Sequence, residues 1–214
     1  MTAAFGTEEF ATNLALGHLG QPEIAAMSDT TTRARKARQF FPVARDAMLR
    51  HKPWNFATAW IEPAADPVQS IGSLKIRYPM PEDCLRVRFI KGDNRRDWAV
   101  ESAVASVGGV PVETLIMVTN ITAPAVCYTR RITAVRLWDG MFLDAFGYML
   151  ASYLATALGR SQSMADDMMT KAINAAGDAA GVDAKERGGE QCRPEPSWAR
   201  ARRGYGFSGR YLRS

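Results

Sequence analysis

At 214 residues, with nearly half of them apolar and about a quarter charged, the chain has the balance of one ordinary globular domain, or of two small ones sharing a core. No stretch reaches the ~18 uncharged apolar residues of a membrane helix, because Asp144 interrupts the best candidate, 140–158. Met1 to Glu9 holds two glutamates and no basic residue, the wrong balance for a secretory leader, so synthesis in the cytosol with reduced thiols is expected.

Thr7 before Glu8 and Glu9 predicts a helix start: a hydroxyl cap, then acids against the positive end of the helix dipole. Phe10, Ala11, Leu14 and Ala15 give this helix one apolar face, and Gly17, Gly20 and Pro22 end it, for a span of 8–19. Ser28-Asp29 is expected to cap a second helix, about 30–51, with a buried stripe of Ala34, Ala37, Phe41, Ala44 and Met48. Its opposite face, Arg33, Arg35, Lys36, Arg38, Arg45 and Arg50, reads as solvated. Pro42 should kink or split it, and Pro53 ends it.

From Trp54 to Arg136 the period changes to two. Leu74, Ile76 and Tyr78 alternate with Lys75 and Arg77, and Leu85, Val87 and Phe89 alternate with Arg86 and Arg88. Lys91 to Asn94 and Gly108-Gly109 read as turns, and Trp98–Glu101, Val112–Val118 and Ala125–Ile132 as further strands. Two prolines exclude Tyr78-Pro79-Met80-Pro81 from a central strand. Trp138 to Gly159 returns to helix, with an apolar face (Phe142, Ala145, Phe146, Met149, Leu150, Tyr153, Leu154) wide enough for burial on more than one side. Ser163, with Asp166 three residues on, predicts the start of a fourth helix whose slim stripe is Met164, Met168, Ala172, Ala175 and Ala179.

The expected fold is therefore α+β and mainly α. Residues 1–53 and 137–189 would form a four-helix bundle, 54–136 an antiparallel β insertion projecting from it, and 190–214 an extended basic C-terminal arm.

Little in the sequence supports catalysis. No phosphate-binding loop, dinucleotide fingerprint, GxSxG or HExxH is present. Cys84, Cys127 and Cys192 share no metal-ligand spacing, and His18 and His51 lie in separate segments. Asp166-Asp167 is best accounted for as dipole compensation in a first helical turn, Glu82-Asp83 as turn chemistry. The helical spacing of Met141, Met149, Met164, Met168 and Met169 suits core packing or a subunit interface. No catalytic residue, cofactor or metal is expected.

The strongest functional signal is charge. In residues 193–214 six arginines oppose the single acid Glu195, a net +5 that equals the charge of the whole chain, so residues 1–192 are neutral. Trp198, Arg200, Arg202, Arg203, Tyr205, Phe207, Arg210 and Tyr211 interleave guanidinium groups with aromatic rings. Such a segment suits an acidic groove on a protein partner, or phosphates and bases of a nucleic acid.

Several segments resemble one family. Ala15-Leu-Gly-His-Leu-Gly20 with Gln21-Pro-Glu-Ile24 is similar to its opening helix and turn. Phe41-Pro-Val-Ala-Arg-Asp-Ala-Met-Leu-Arg50 followed by His51-Lys-Pro-Trp-Asn-Phe-Ala57 resembles its most specific signature. Tyr78 to Val87 resembles its proline-bounded strand start, and Val126-Cys-Tyr-Thr-Arg-Arg131 with Phe142–Leu158 its late strand and penultimate helix. The family is the tail tubular protein A type of head-to-tail adaptor of short-tailed phages, and the resemblance spans about residues 10–180. It implies a structural virion protein without catalytic residues. Twelve copies would form a ring below the portal, bind the tail nozzle or tail tube, and let DNA pass without sequence-specific contact. Assembly would take place in the host cytoplasm. The arm then reads as a portal-binding segment, and a ring would multiply a modest affinity per arm. The alternative is a nucleic-acid-binding module using the same arginines.

Overall fold

The computed structural model describes residues 5–68, 70–93, 97–107 and 109–186. Helix α1 is Glu8–His18, and Thr7 caps it by accepting from the Phe10 amide at 3.2 Å. Gly20, at φ +60°, ends it in a left-handed cap, with the Gln21 amide donating to the Leu16 carbonyl at 2.9 Å. Helix α2 is Thr32–His51 and starts later than expected. The Asp29 carboxylate accepts from the Ala25 and Ala26 amides, closing the preceding turn, and Thr31 caps the helix through the Ala34 amide. Pro42 does not split α2, which runs unbroken through it; the proline lies on the exposed face, where water can serve the carbonyl it leaves without a donor.

Six strands follow: β1 Thr58–Ile61, β2 Ile76–Pro79, β3 Cys84–Ile90, β4 Trp98–Val107, β5 Val110–Thr119 and β6 Val126–Arg130. They form two three-stranded antiparallel sheets, in orders β1-β6-β3 and β2-β5-β4. Pro79 falls at the end of an edge strand, as its missing donor requires. Tyr78, Met80 and Met117 from the second sheet pack with Cys84, Val87, Ile90, Val126 and Tyr128 from the first, making a core between the sheets.

The strict alternation expected along β3 is broken by two register shifts, between Cys84 and Arg86 and between Val87 and Phe89. Each inserts an extra residue, so Cys84, Val87 and Ile90 share the inter-sheet core at a spacing of three. Leu85 turns to the other face and joins the helical core, and Arg88 reaches the end of α2.

Helix α3, Gly140–Ala157, is capped by Asp139, which accepts from the Met141 and Phe142 amides. It buries eleven of its residues, on more than one side. Helix α4, Gln162–Glu186, starts one residue after Ser161, whose hydroxyl accepts from the Met164 amide at 3.2 Å. The expected start at Ser163 is thus two residues late, and Asp166 and Asp167 stand in the second turn. The buried stripe of α4 is Ala165, Met168, Ala172, Ala176 and Ala179, with Met164 and Ala175 at its margin.

The expectation of a four-helix bundle carrying a small β insertion is overturned. Among the described residues the structure is mixed α/β, with four α-helices and two three-stranded antiparallel sheets. α1, α2 and α4 each pack on α3, not around a shared four-way axis. The first sheet is itself a layer of the structure, with helices against one face and the second sheet against the other. The physical reason is β3, whose bulges give it apolar side chains on both faces. The expected arm, 190–214, lies outside the described residues.

Arg88 fastens the layers. Its guanidinium donates to the carbonyls of Leu49 at 3.3 Å, Arg50 at 3.2 Å and Lys52 at 2.7 Å, all at the C-terminal end of α2, and its Nε to the Thr129 hydroxyl at 2.6 Å. Cations at a helix C-terminus meet both the orphan carbonyls and the negative end of the dipole. Replacement by methionine keeps much of the stem's packing and removes the donors. Arg88→Met should lower unfolding free energy by about 2 kcal/mol in urea titration, with a loss below about 0.5 kcal/mol showing that the cap is incidental.

Candidate functional site

The segments 41–57, 78–87, 126–131 and 142–158 lie far apart in sequence, and the structure gathers several of them at one joint. The end of α2 leads through Lys52-Pro53 to Trp54, whose indole donates to the Met48 carbonyl at 2.9 Å. Trp54 meets Phe142 of α3 edge-on, with centroids 5.0 Å apart, and Phe56 meets the same ring at 4.9 Å. Trp138 and Phe146 extend this cluster to Phe41 of α2. The Trp54 side chain is thereby fixed at both its polar and apolar edges.

Polar groups close the other side of the joint. Asp46 bridges Arg45 at 2.8 Å and Arg131 at 3.0 Å. The Arg131 backbone amide donates to the Asp83 carbonyl at 2.7 Å, and Arg130 pairs with the Asp83 carboxylate at 2.7 Å. Arg50 donates to the Leu85 carbonyl, and Arg86 returns a bond to the Arg50 carbonyl at 3.2 Å. The α2 arginines read as simply solvated are thus largely engaged. Arg45 and Arg50 serve this joint, while Arg38 donates to the Met27 and Asp29 carbonyls. Glu82-Asp83, read as turn chemistry, does hold a turn, and Asp83 is also an ion-pair partner.

The arrangement ties the helical and β layers together through packed rings and directed polar bonds. The Cys84 thiol is pushed up to about 11, first by burial and then by the neighbouring Asp83 carboxylate, so it stays protonated and unreactive. Cys127 is likewise buried. In a Cys192→Ala chain, a thiol reagent at pH 8 should therefore label almost nothing in the native state and both remaining cysteines after denaturation. Rapid native labelling would show that the joint opens. Asp66 has a fully buried carboxylate, and its Oδ2 lies 3.5 Å from Arg77 without hydrogen-bond geometry. Arg77 spends its better contact on the Val104 carbonyl at 2.7 Å, so the pair is loose.

His18, in the last turn of α1, is a further unusual polar group. Its ring stacks on Tyr148 of α3 with centroids 4.1 Å apart, and its buried Nε2 has no hydrogen-bond partner among the described residues. Gly147 of α3 lies beside it, where a Cβ would come within 2.9 Å of the Leu14 side chain and 3.5 Å of His18 Nε2. Burial lowers the pKa of His18, Asp144 of α3 opposes that shift, and Lys171 of α4 adds to it. A depressed histidine pKa means that, as pH falls below the ordinary value of about 6.5, the unfolded chain takes up a proton the folded chain refuses. Stability should therefore be full above that value and decline with acidification until the folded value is reached. His51 is lowered too, by burial and then by Lys52 and Arg88. Denaturation midpoints between pH 7.5 and 5 should fall less steeply in His18→Gln than in wild type; equal slopes would remove His18 as a contributor.

Among the described residues, no group of three or more His, Cys, Asp or Glu side chains is placed to hold a metal ion. None of the helices described is long and apolar enough to cross a membrane. Trp198, Arg200, Arg202, Arg203, Tyr205, Phe207, Arg210 and Tyr211, the residues expected to bind a partner, all lie outside the described residues. The joint itself was only half visible in sequence. The segment 41–57 stood out, but nothing there named Arg88 or Arg131 as its partners across the fold. No known family model matches the chain, and no curated protein matches it.

Proposed function

We propose that this chain is a structural subunit of the junction between phage head and tail: a ring-forming adaptor that links the portal to the tail and continues the DNA channel. The observation that carries the reading is the joint. Of the segments that resemble the adaptor family, 41–57, 78–87 and 126–131 meet there through Asp46–Arg131, Arg131–Asp83 and Arg50–Leu85, and Phe142 of the penultimate helix packs against Trp54. Contact among these residues supports the reading, because a rigid coupling of helical and β layers suits a ring subunit that bears load.

On this reading the protein resides in the virion, is assembled in the host cytoplasm, and meets the portal on one side and the tail nozzle or tube on the other. The arginine- and aromatic-rich segment 193–214 is its portal-binding part, with each repeated arm of the ring adding to a modest single-site affinity. The same composition supports a nucleic-acid-binding module as the second reading.

Deletion of 193–214 separates them. Portal capture should be lost while the far-ultraviolet circular dichroism of the helices persists; undiminished capture would overturn the arm's role. DNA binding with a steep salt dependence that vanishes with the same deletion, in a chain that never captures portal, would replace the adaptor reading with the second one.

A further inference from the structure

Stretches of two helices in this protomer carry opposite charge that no ion pair among the described residues answers. Along α2, six Lys and Arg residues stand against the single acid Asp46, and three of them, Arg38, Arg45 and Arg50, are already engaged within the fold. The first turns hold Arg33, Arg35 and Lys36 and no acid, although that is the positive end of the helix dipole. None of the three is in an ion pair among the described residues, and Arg35 is exposed beside Gln39 and Val43, the last 52% accessible. Along α4, five acids oppose two lysines. Asp166, Asp167 and Asp178 point away from α3, with Ile173 exposed beside them at 47%. None of these three acids is ion-paired among the described residues.

Both helices bury their other sides against α3, so these outer faces are not used in packing the helices on α3. The α4 face has a second property. Gly177 and Gly181 lie on it, four residues apart, and a Cβ at either would meet nothing within 4 Å. Glycine weakens a helix interior, and here no contact among the described residues compensates for it. What it leaves is a shallow surface that lets another backbone come close.

We infer that the acidic outer face of α4 docks on the basic first turns of α2 of a second copy of this chain. The contact uses different surfaces on the two partners, so it is heterologous and propagates from copy to copy, closing into a ring if the rotation permits. Opposite potentials steer the encounter, and like potentials forbid α2 on α2 or α4 on α4. The inference deepens the adaptor reading and rests on it for the purpose of the ring; the physical contact rests on the two faces.

The test is sedimentation of the full-length protein at low salt over a range of concentrations. The average mass should rise beyond two copies and fall back toward one at ~0.5 M salt, where the screening length is only a few ångströms. Arg35→Glu/Lys36→Glu, or separately Asp167→Lys/Asp178→Lys, should weaken association by at least roughly ten-fold, since like charges then face each other. The combination of all four should restore it. Gly177→Ala/Gly181→Ala should raise resistance to urea while weakening association, which separates docking from folding. If a charge reversal unfolds the chain, the neutral Arg35→Gln and Asp167→Asn/Asp178→Asn variants serve with smaller losses of the same sign.

A wild-type chain monomeric throughout, a mass that saturates at two copies, single reversals without effect, or a quadruple variant that stays apart would each overturn the pairing. So would weakening by the α4 reversal alone, which would assign that face to segment 193–214 or to another partner. Portal capture by a chain that fails these tests keeps the adaptor reading without this interface. Rescued self-association without portal capture keeps the interface and removes the reading.

Discussion

A helix that ends inside a structure leaves its last carbonyls without intrahelical donors, and something must answer them or the end cannot be buried. In α2 the answer comes from the sheet. Arg88 reaches three carbonyls at the helix end, and Arg86 also reaches one of them. The orientation of α2 against the first sheet is thereby set by hydrogen-bond direction as well as by apolar contact. Once α2 is placed, Trp54 follows, because its indole is bonded to the same last turns of the helix. Trp54 in turn positions Phe142, and with it the central helix α3.

That dependence explains the unusual place of α3. A helix that receives α1, α2 and α4 has little room for polar groups, and its buried positions include Phe142, Phe146, Leu150 and Leu154 as well as Gly147 and Ser152. Ser152 satisfies its hydroxyl within the helix, on the Met149 carbonyl at 2.7 Å. The alanines of the α2 and α4 stripes let backbones approach α3 closely, and the aromatic rings fill what remains around Trp138. Close packing and a few directed bonds thus play separate parts, in which rings and alanines fill volume and guanidiniums fix angle.

Local signals in the sequence were sufficient for the helices. Thr7 with its acids, the broad face of 138–159 and the punctuating Gly20 depend only on near neighbours, and α1 and α3 lie close to where those signals put them. The caps of α2 and α4 were misplaced because several Ser, Thr and Asp residues stand together there. Which of them caps is decided by the turn before it, as Asp29 shows by closing its own loop. The strands were mostly legible as strands, apart from the short β1, but their grouping was not. Alternation assigns a residue to a face; it does not say which strand lies beside it, and a bulge reverses the assignment from that residue onward. Hence Leu85 and Arg88 could not be seen as the sheet's grip on the helices, and a layer was mistaken for an insertion. The joint at Asp46 and Arg131 was hidden for the same reason, since its partners are 85 residues apart.

The strand order β1-β6-β3 also has a consequence in time. β6 is the last of the described strands along the chain and the central one of its sheet, so β1 and β3 have no neighbour in that sheet until Val126–Arg130 exists. α1 and α2 wait similarly for α3. On a ribosome, where the chain emerges from its N-terminus, only the β4–β5 hairpin and its neighbour β2 can pair from local material before then. α1, α2, β1 and β3 thus all wait for a stretch ending near Ala157. Until that stretch emerges, a stalled nascent chain leaves the edges of β1 and β3 without their central strand, for a chaperone to guard.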